Sequence, residues 1–411
     1  MAFEVNHDFV REIVRQEKAE ISNLRVNNLL DGLENFSGTL KRVQFSICES
    51  GETNHYDVIL KHRKPLKADE TDYLLTFWEK EINAYEAIFP ALSKWQKVKL
   101  GYSEEFFPHI FLSSKEQSFL VMENLKTSGY HMADKLTGLN LKECLIAVQK
   151  LSLIHILSLS YITDFGAKNF EAEHGPTLKD YLYEFQSKGA LAMKPFTSMI
   201  HDKLSSLLLD KFPDDSSLIE DMMTHYRKSM LPINFKEYCG HGKNCNVINH
   251  GDLWTNNMMF KYDENGEPVD YRLVDMQAIK LSSPASDLCF FIWLSASHDV
   301  ILNKMDYLVN EYYKEFSNSL GKLNVSINYS IDNLKEDFQS FYDVGFRARF
   351  ERTLFFNTMD KNTTDFDVQA FFEKDKAEEL AKFFAMMSIS DDGIFNKMMD
   401  MCRFGKRLNI F

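Results

Sequence analysis

Two segments near the amino terminus alternate between apolar and polar residues. The first spans 39–48, and the second spans 56–61 after a turn centred on Gly51. Because successive side chains of a strand point to opposite faces of a sheet, a period of two predicts strands. The short turn between the segments makes them antiparallel.

The period changes to that of a helix over 70–89. Trp78, Ile82 and Tyr85 lie on one apolar stripe of this predicted helix, and Glu81 borders the stripe. A glutamate beside a buried face is costly unless it is paired. We therefore expect Glu81 to have a cationic partner.

Lys61 closes the second predicted strand and is the natural partner for Glu81. In kinases, such a glutamate holds a strand lysine that contacts the phosphates of the nucleotide. The alternative is a surface lysine and a helix-flank glutamate that never meet, since the region contains several of each.

An apolar strand at 118–125 ends in polar residues and is followed by Gly129. This position predicts a hinge between two lobes, where adenine is held mainly by backbone groups. Glu123, Asn124 and Leu125 are therefore candidate nucleotide contacts by position alone.

The segment from Gly32 to Gly38 is rich in small residues and leads into the first predicted strand. Its backbone amides could approach nucleotide phosphates, although an ordinary turn has the same composition.

The rest of the chain is predicted to be mainly helical. Predicted helices cover 139–162, 178–189, 196–211, 217–231 and 289–296. The expected fold class is α+β, with a small nucleotide-binding lobe over 1–125 and a larger catalytic and substrate-binding lobe over 126–411.

Composition is that of an ordinary globular protein with 411 residues, 45% hydrophobic and 26% charged. The formal charge of −13 argues against a nucleic-acid partner, which requires a basic surface. No apolar run reaches the length of a membrane span, and the first residues do not resemble a secretory signal. Six scattered cysteines suit a reducing compartment. We expect a cytoplasmic monomer.

Cys239 and Cys245 flank His241, which raises the question of zinc. A fourth ligand and a Cys-x-x-Cys pair are missing, so a loop is the favoured interpretation.

The segment His-Gly-Asp-Leu-Trp-Thr-Asn-Asn at 250–257 carries the strongest chemical signal. Asp252 and Asn257 have the Asp-x-x-x-x-Asn spacing of a kinase catalytic loop. Asp252 is the candidate base for a hydroxyl proton, and Asn257 is a candidate magnesium ligand. The alternative is that Asp252 only caps a turn.

A hairpin is predicted after this loop, with strands at 257–261 and 271–276 around Asn265-Gly266. This hairpin would bring Asp275 beside Asn257, where its carboxylate can bind the same magnesium ion. We therefore predict that Asp252, Asn257 and Asp275 converge on one divalent ion. The alternative is that Asp275 only ends a strand.

Two further residues are interpreted as supporting the fold. Asp287 lies in the segment 283–288 that opens the predicted helix at 289–296, and it can accept hydrogen bonds from backbone amides near the catalytic loop. His155 lies among apolar residues of a helix, where a packed histidine with a satisfied hydrogen bond is expected.

Taken in order, these motifs resemble the ecdysteroid kinase-like family over nearly the whole chain. The resemblance is carried by Lys61, Glu81 with Tyr85-Glu86, the strand at 120–125, His-Gly-Asp-Leu-Trp-x-Asn-Asn at 250–257, Val-Asp-x-Gln at 274–277 and Ser-Pro-x-x-Asp-Leu at 283–288. It implies a two-lobed protein-kinase-like fold, ATP, Mg²⁺ and transfer of phosphate to an alcohol of a small molecule.

The resemblance also implies phosphate contacts from Asn35 and Ser37, although Glu-Asn-Phe-Ser at 34–37 fits the family pattern only loosely. Met276 stands where the family more often has Phe, which leaves the carboxylate of Asp275 and the amide of Gln277 in place.

The acceptor implied by the resemblance is an ecdysteroid or a similar hydroxylated compound. Xenobiotic, phenolic or choline-like alcohols stay open, as does a noncatalytic protein that binds nucleotide or hormone. A protein kinase is disfavoured because the chain lacks a clear Asp-Phe-Gly after the catalytic loop that leads into an activation segment and Ala-Pro-Glu, and the predicted hairpin runs almost directly into Pro284. Phe291 and Trp293 are candidate pocket residues, but packing in the core is the more usual role.

Overall fold

The computed structural model describes residues 4–29, 38–49, 52–63, 71–180, 202, 204–229, 245–359 and 392–411. The chain forms two compact units. The first contains Met1–Met132, Tyr161–Leu178 and Asn257–Ile279, and the second contains Ala133–Ser160, Lys179–Asn256 and Lys280–Phe411. The division into lobes at residue 125 stays a prediction.

The strands are β1 (Glu20–Asn28), β2 (Gly38–Glu49), β3 (Glu52–Arg63), β4 (Ile110–Ser114), β5 (Phe119–Glu123), β6 (Tyr130–Met132), β7 (Val247–Asn249), β8 (Met258–Tyr262), β9 (Pro268–Leu273) and β10 (Lys280–Ser282). The helices are α1 (His7–Val14), α2 (Thr71–Asn83), α3 (Phe89–Leu100), α4 (Leu141–Phe165), α5 (Ala167–Leu178), α6 (204–211), α7 (Ser216–Ser229), α8 (Pro284–Ser295), α9 (His298–Leu323), α10 (Ile331–Ser340), α11 (Tyr342–Met359) and α12 (Asp392–Arg407). An antiparallel sheet near the amino terminus and a largely helical remainder confirm the α+β class.

A five-stranded antiparallel sheet in the order β1-β2-β3-β5-β4 dominates the first unit. The two strands predicted at 39–48 and 56–61 are confirmed as β2 and β3, and both are longer than predicted. Alternate apolar residues of these strands pack with helix α1, which the sequence interpretation missed. This core includes Phe9, Val10, Ile13, Val43, Phe45, Ile47, Val58, Leu60 and Val121.

The predicted helix at 70–89 is real but irregular. Helix α2 passes into a π-helical turn, Ala84–Ile88, and helix α3 continues to Leu100. The amide of Phe89 donates to the carbonyl of Ala84, the wide spacing of a π turn. Pro90 follows at once and has no amide hydrogen, so a regular α-helical bond is missing there in any case.

The predicted hairpin is present as β8 and β9, which pair antiparallel with Met258 opposite Leu273. Gly266 supplies the positive φ of +77° in the connecting turn. The predicted second strand at 271–276 was placed too late, since β9 begins at Pro268 and ends at Leu273. Asp275, with φ of +65°, cannot continue an extended strand.

Helix α8 forms the centre of the second unit. It begins at Pro284, earlier than the predicted 289, because the Ser283 hydroxyl accepts a hydrogen bond from the Ala285 amide at 3.3 Å. Phe291 and Trp293 are fully buried, so the core interpretation of these aromatics is confirmed.

The other predicted helices are matched in part. Those at 139–162 and 217–231 correspond to α4 and α7. Residues 204–211 are helical, whereas 196–201 lie outside the described residues. The helix predicted at 178–189 is not matched where it can be judged, because Leu178 ends α5 and 181–189 lie outside the described residues.

Helix α4 corrects the expectation that no segment is long and apolar enough for a membrane span. Its length and composition pass that test, and in the described residues it alone does so. However, 72% of its apolar window is buried inside the protein, which is typical of a core helix.

Candidate functional site

Lys61 lies at the centre of a charged cluster in the first unit. Its Nζ donates to Glu81 Oε1 at 2.9 Å, to Glu81 Oε2 at 2.8 Å and to Asp275 Oδ1 at 3.0 Å. Strand β3 supplies the lysine and helix α2 supplies the glutamate, as predicted. The ion pair of Lys61 with Glu81 is therefore confirmed.

The charged groups of this cluster are largely buried, so their charges contribute strongly to its energy. The side chain of Lys61 is 9% exposed and that of Glu81 is fully buried, whereas Asp275 is 39% exposed. Removing charges from water is expensive, and only good geometry compensates for it. The cluster contains two carboxylates and one ammonium group, so it has an excess of one negative charge when all three are ionised.

The pKa directions express this balance. Burial of Lys61 alone would lower its pKa, but the charges of Asp275 and Glu81 outweigh it and the pKa is raised. Burial raises the pKa of Glu81, with Lys61 opposing the shift and Asp275 adding to it. At neutral pH the Lys61 side chain is a cation fixed between two acidic groups.

Asp275 is held in an uncommon backbone conformation. Its φ and ψ are 65° and 73°, and the short 3-10 turn Met276–Ala278 follows it. The amide of the preceding residue, Val274, donates to the carbonyl of Asn257 at 3.0 Å. Left-handed backbone at a non-glycine residue is found at functional sites, where the surrounding structure maintains it. The turn directs one carboxylate oxygen to Lys61.

Gln277 is a supporting residue that the sequence interpretation noted only as part of a motif. Its Nε2 donates to Glu81 Oε2 at 3.2 Å. The glutamate oxygens are thus held by Lys61 and Gln277 together. The Val-Asp-x-Gln spacing was visible, but no local pattern relates Gln277 to a helix almost two hundred positions earlier.

Tyr85 was also missed as a neighbour of the cluster. Burial raises its pKa well above the ordinary value, and the charges of Glu81 and Asp275 add to this. Its hydroxyl is buried near the backbone of Asp275 and, in the part of the chain described, lacks a hydrogen-bond partner of regular geometry. The π turn that places Tyr85 here cannot be read from a hydrophobic period.

The predicted catalytic loop lies mostly in the second unit and is fixed by Asp287. The amide of His250 donates to Asp287 Oδ2 at 2.6 Å, and the amide of Gly251 donates to Oδ1 at 2.9 Å. Gly251 has a φ of +81°, which favours glycine. The prediction that Asp287 binds backbone amides of this loop is confirmed.

Asp287 itself is buried and well partnered. Its amide donates to Asn249 Oδ1 at 3.1 Å, and His155 Nε2 lies 3.4 Å from Oδ2. The other ring nitrogen of His155 is 2.7 Å from the hydroxyl of Tyr312. These contacts confirm the structural role of His155. Burial would raise the pKa of Asp287, but the hydrogen bond and charge of His155, then His250 and the Gly251 amide, lower it.

Asp252, the candidate base, is exposed at the surface of its own unit, and its amide donates to His250 Nδ1 at 3.3 Å. Asn257 belongs to the first unit, where Val274 binds its carbonyl. The first unit thus joins Lys61, Glu81 and Asp275 by side chains and Asn257 by backbone. Convergence of Asp252 with them stays a prediction.

Of the remaining candidate nucleotide contacts, some lie outside the described residues and others lie in strand β5 and directly after it. Asn35 and Ser37 lie outside the described residues. Glu123 ends β5, Leu125 is buried, and Asn124 donates to Asp57 Oδ1 at 2.8 Å. The Asn124 side chain therefore has a structural task, and nucleotide contact by the backbone of this segment stays a prediction.

No group of three or more His, Cys, Asp or Glu side chains suited to a metal occurs within the described ranges. Cys239 and His241 lie outside those ranges, while Cys245 is buried. Lys61 binds one carboxylate oxygen of Asp275, and magnesium in proteins takes one or two carboxylates and completes its shell with phosphate and water, so a magnesium site at Asp275 stays a prediction.

A strand lysine bound to a helix glutamate and to an aspartate after a hairpin is typical of the nucleotide site of kinases. The chain belongs to the ecdysteroid kinase-like family, whose model matches residues 32–325. Among matching solved structures is a Plasmodium vivax ethanolamine kinase, with 12% identity and a TM-score of 0.40 over 91% of this chain and 83% of that one. The search of curated proteins found no match.

Proposed function

We propose that this protein is an ATP-dependent small-molecule kinase that transfers the terminal phosphate to an alcohol hydroxyl. The observation that carries the proposal is the binding of Lys61 Nζ to both Glu81 and Asp275. Membership of the ecdysteroid kinase-like family supports it. A purely structural ion pair would not need a second, partly exposed carboxylate in a left-handed turn.

In this proposal, Lys61 binds the phosphates of ATP and Glu81 keeps its ammonium group in place. Asp275 and Asn257 hold Mg²⁺, which when bound neutralises charge on the phosphates. Asp275 is suited to this task, since its carboxylate is 39% exposed and only one oxygen binds Lys61. Asn35 and Ser37 contact phosphates, and the backbone of 123–125 holds adenine.

Asp252 accepts the proton of the acceptor hydroxyl as the new oxygen–phosphorus bond forms and the bond between the last two phosphates breaks. ADP is the other product. The exposure of Asp252 suits a base that must meet a dissolved substrate. Its position is fixed by the amides of His250 and Gly251 on Asp287.

An ecdysteroid or a similar hydroxylated compound is the proposed acceptor, on the strength of the family alone. We place the reaction in the cytoplasm and the protein as a monomer, as expected from its composition. Choline-like, phenolic and xenobiotic alcohols are the competing acceptors.

The test is a mass-spectrometric screen for ATP-dependent gain of phosphate across steroid, phenolic and amino-alcohol libraries. A phosphorylated steroid alcohol formed by the wild type and not by Asp252→Asn supports the proposal. Phosphorylation of choline alone would replace the acceptor class.

Calorimetry distinguishes a kinase from a noncatalytic binding protein. Asp275→Ala is expected to weaken ATP binding in the presence of Mg²⁺ and to change it little without the metal. Equal affinities in both conditions would remove Asp275 from the metal site. Tight nucleotide binding without turnover on any library member would favour the noncatalytic alternative.

A further inference from the structure

Two arginines of the second unit lie one turn apart on helix α11. Arg349 Nη1 donates to the carbonyl of Ala296 at 3.3 Å, and Arg352 Nη2 donates to the carbonyl of Lys135 at 2.7 Å. Both side chains are half-buried. Each guanidinium thus donates to a backbone carbonyl.

The two carbonyls belong to segments that are tied together. The amide of Leu139 donates to the carbonyl of Ser295 at 2.7 Å, and the amide of Ser297 returns a bond to Leu139 at 2.8 Å. Gly138, which precedes Leu139, has a φ of +75°, and a Cβ added to it would lie 3.0 Å from the carbonyl oxygens of Ser295 and Ala296. The backbone that positions the arginines is therefore closely packed.

Trp254 connects this pair with the predicted catalytic loop. The guanidinium carbon of Arg352 lies 5.7 Å from the centre of the Trp254 ring, within cation–π distance. Trp254 follows Asp252 by two residues, so their Cα atoms are at most about 7 Å apart. Arg352, one helical turn from Arg349, thus lies beside the segment that contains the proposed base.

No carboxylate in the described part of the chain balances the charge of Arg349. Within the described residues it forms no ion pair, and its hydrogen bond to Ala296 uses one of its five N–H donors. Burial lowers the pKa of Arg349 to about 10, and burial together with the Arg349 charge lowers that of Arg352 to about 9. Both remain cationic at neutral pH.

Other described arginines, unlike Arg349, are paired with carboxylates. Arg42 lies against Asp57, Arg272 binds Glu105 at 2.6 Å and Arg227 binds Asp202 at 2.8 Å. Like charges one helical turn apart repel, and the repulsion grows when they are shielded from water. A bound anion would remove this cost, and a guanidinium fork is well shaped for carboxylate, phosphate or sulfate oxygens.

We propose that Arg349 and Arg352, with the ring of Trp254, recognise an anionic oxygen group on the acceptor. The acceptor is then an alcohol that also bears a carboxylate, phosphate or sulfate, with an apolar or flat part against Trp254. This inference rests on the proposed kinase function, and among the candidate acceptors it selects hydroxylated compounds that bear an anionic group over neutral ecdysteroids. It disfavours cationic amino alcohols.

Calorimetry without nucleotide tests the inference separately from catalysis. The probes are para-hydroxymethylbenzoate and para-hydroxymethylbenzamide, which share the ring and the alcohol and differ in charge. The wild type is expected to bind the benzoate about tenfold more tightly, since an arginine–carboxylate pair is stronger than a neutral hydrogen bond. Equal binding of the two probes would overturn the inference.

Variants locate the anion. Arg349→Gln is expected to lose the preference for the benzoate, and Arg349→Lys to keep part of it. Arg227→Gln, which removes an exposed arginine of the same unit, is expected to keep all of it. A preference that survives Arg349→Gln in a variant with normal thermal unfolding places the anion elsewhere and contradicts the proposal.

The two proposals can fail separately. Benzoate preference that depends on Arg349, without phosphate transfer to any alcohol, would leave the anion site standing and remove the kinase function. Phosphate transfer to neutral alcohols only, without benzoate preference, would do the reverse.

Discussion

Glu81 and Asp287 are both fully buried carboxylates, yet their surroundings shift their pKa values in opposite directions. The pKa of Glu81 is raised, because burial and the neighbouring Asp275 outweigh Lys61. The pKa of Asp287 is lowered, because His155 and the Gly251 amide outweigh burial. Asp287 is satisfied by amides of its own unit and by His155, whereas Glu81 shares Lys61 with a second acid.

The difference separates a residue that maintains structure from residues arranged for a ligand. Asp287 fixes the amides of His250 and Gly251, and no further group is required there. When its three groups are ionised, the cluster around Lys61 has an excess negative charge, which a divalent cation beside Asp275 would offset.

The largest effect is expected for Asp252→Asn, which tests whether the loop fixed by Asp287 carries the chemistry. Turnover should fall by about two to four powers of ten, the usual effect of removing a positioned base. ATP affinity should be retained, because Asp252 is not assigned to nucleotide binding. Steady-state kinetics and calorimetry check this. Unchanged turnover would remove Asp252 from the mechanism.

Asp287→Ala should lower the free energy of unfolding by about 3 kcal/mol, because it leaves two buried amides without an acceptor. Urea unfolding measures the change. Asp299→Ala is the control, since Asp299 is exposed in the first turn of α9 and accepts a bond from Asn303. If both variants lose the same stability, Asp287 does not fix the loop.

Gln277→Ala tests whether Gln277 helps to hold Glu81, and its effect on ATP binding should be smaller than the effects above. Losing one hydrogen bond to Glu81 is expected to weaken ATP binding by about 1 kcal/mol, roughly fivefold. Calorimetry with Mg²⁺ measures the affinity. Gln277→Glu is the stronger test, since a third carboxylate near Lys61 should weaken binding more than Ala does. Normal binding by Gln277→Glu would contradict the arrangement.

The smallest effect is a pair of opposite pH dependences. Since the folded pKa of Glu81 lies above its ordinary value of 4.5, the folded state holds this proton more tightly, and stability falls as pH rises above 4.5. Since the folded pKa of Asp287 lies below 3.8, its stabilising effect is present above 3.8 and is lost as pH falls below it.

Comparison of the wild type with Glu81→Gln and Asp287→Asn isolates each contribution. The stability of the wild type relative to Glu81→Gln should decline with rising pH, and its stability relative to Asp287→Asn should decline with falling pH. Thermal unfolding between pH 3 and 7 is the measurement. Slopes of the same sign would mean that the two carboxylates are not in different environments.

Local patterns predicted much of the fold, because the spacing of apolar residues along the chain directly indicates a strand or a helix. Alternation placed β2 and β3, and Asn265-Gly266 placed the hairpin of β8 and β9. Pairing of Lys61 with Glu81 was predictable because an acidic residue beside a buried helix face requires a cation.

Long-range contacts and backbone exceptions were not predictable in this way. The bond from Gln277 to Glu81 joins elements far apart in the chain, and nothing local selects it. The positive φ of Asp275 shortened a predicted strand because aspartate is common in both strand ends and turns. Arg349 and Arg352 of α11 belong to no sequence motif, and only their neighbours in the structure mark them as candidate ligand-binding residues.

The π turn at Ala84–Ile88 accommodates one more residue than a regular helical turn. Deleting a single residue there would restore an unbroken helix and rotate everything from Phe89 onward by about 100° relative to Glu81. Insertion or loss of one codon at this point would thus move the aromatic face of α3 without touching a charged residue of the cluster.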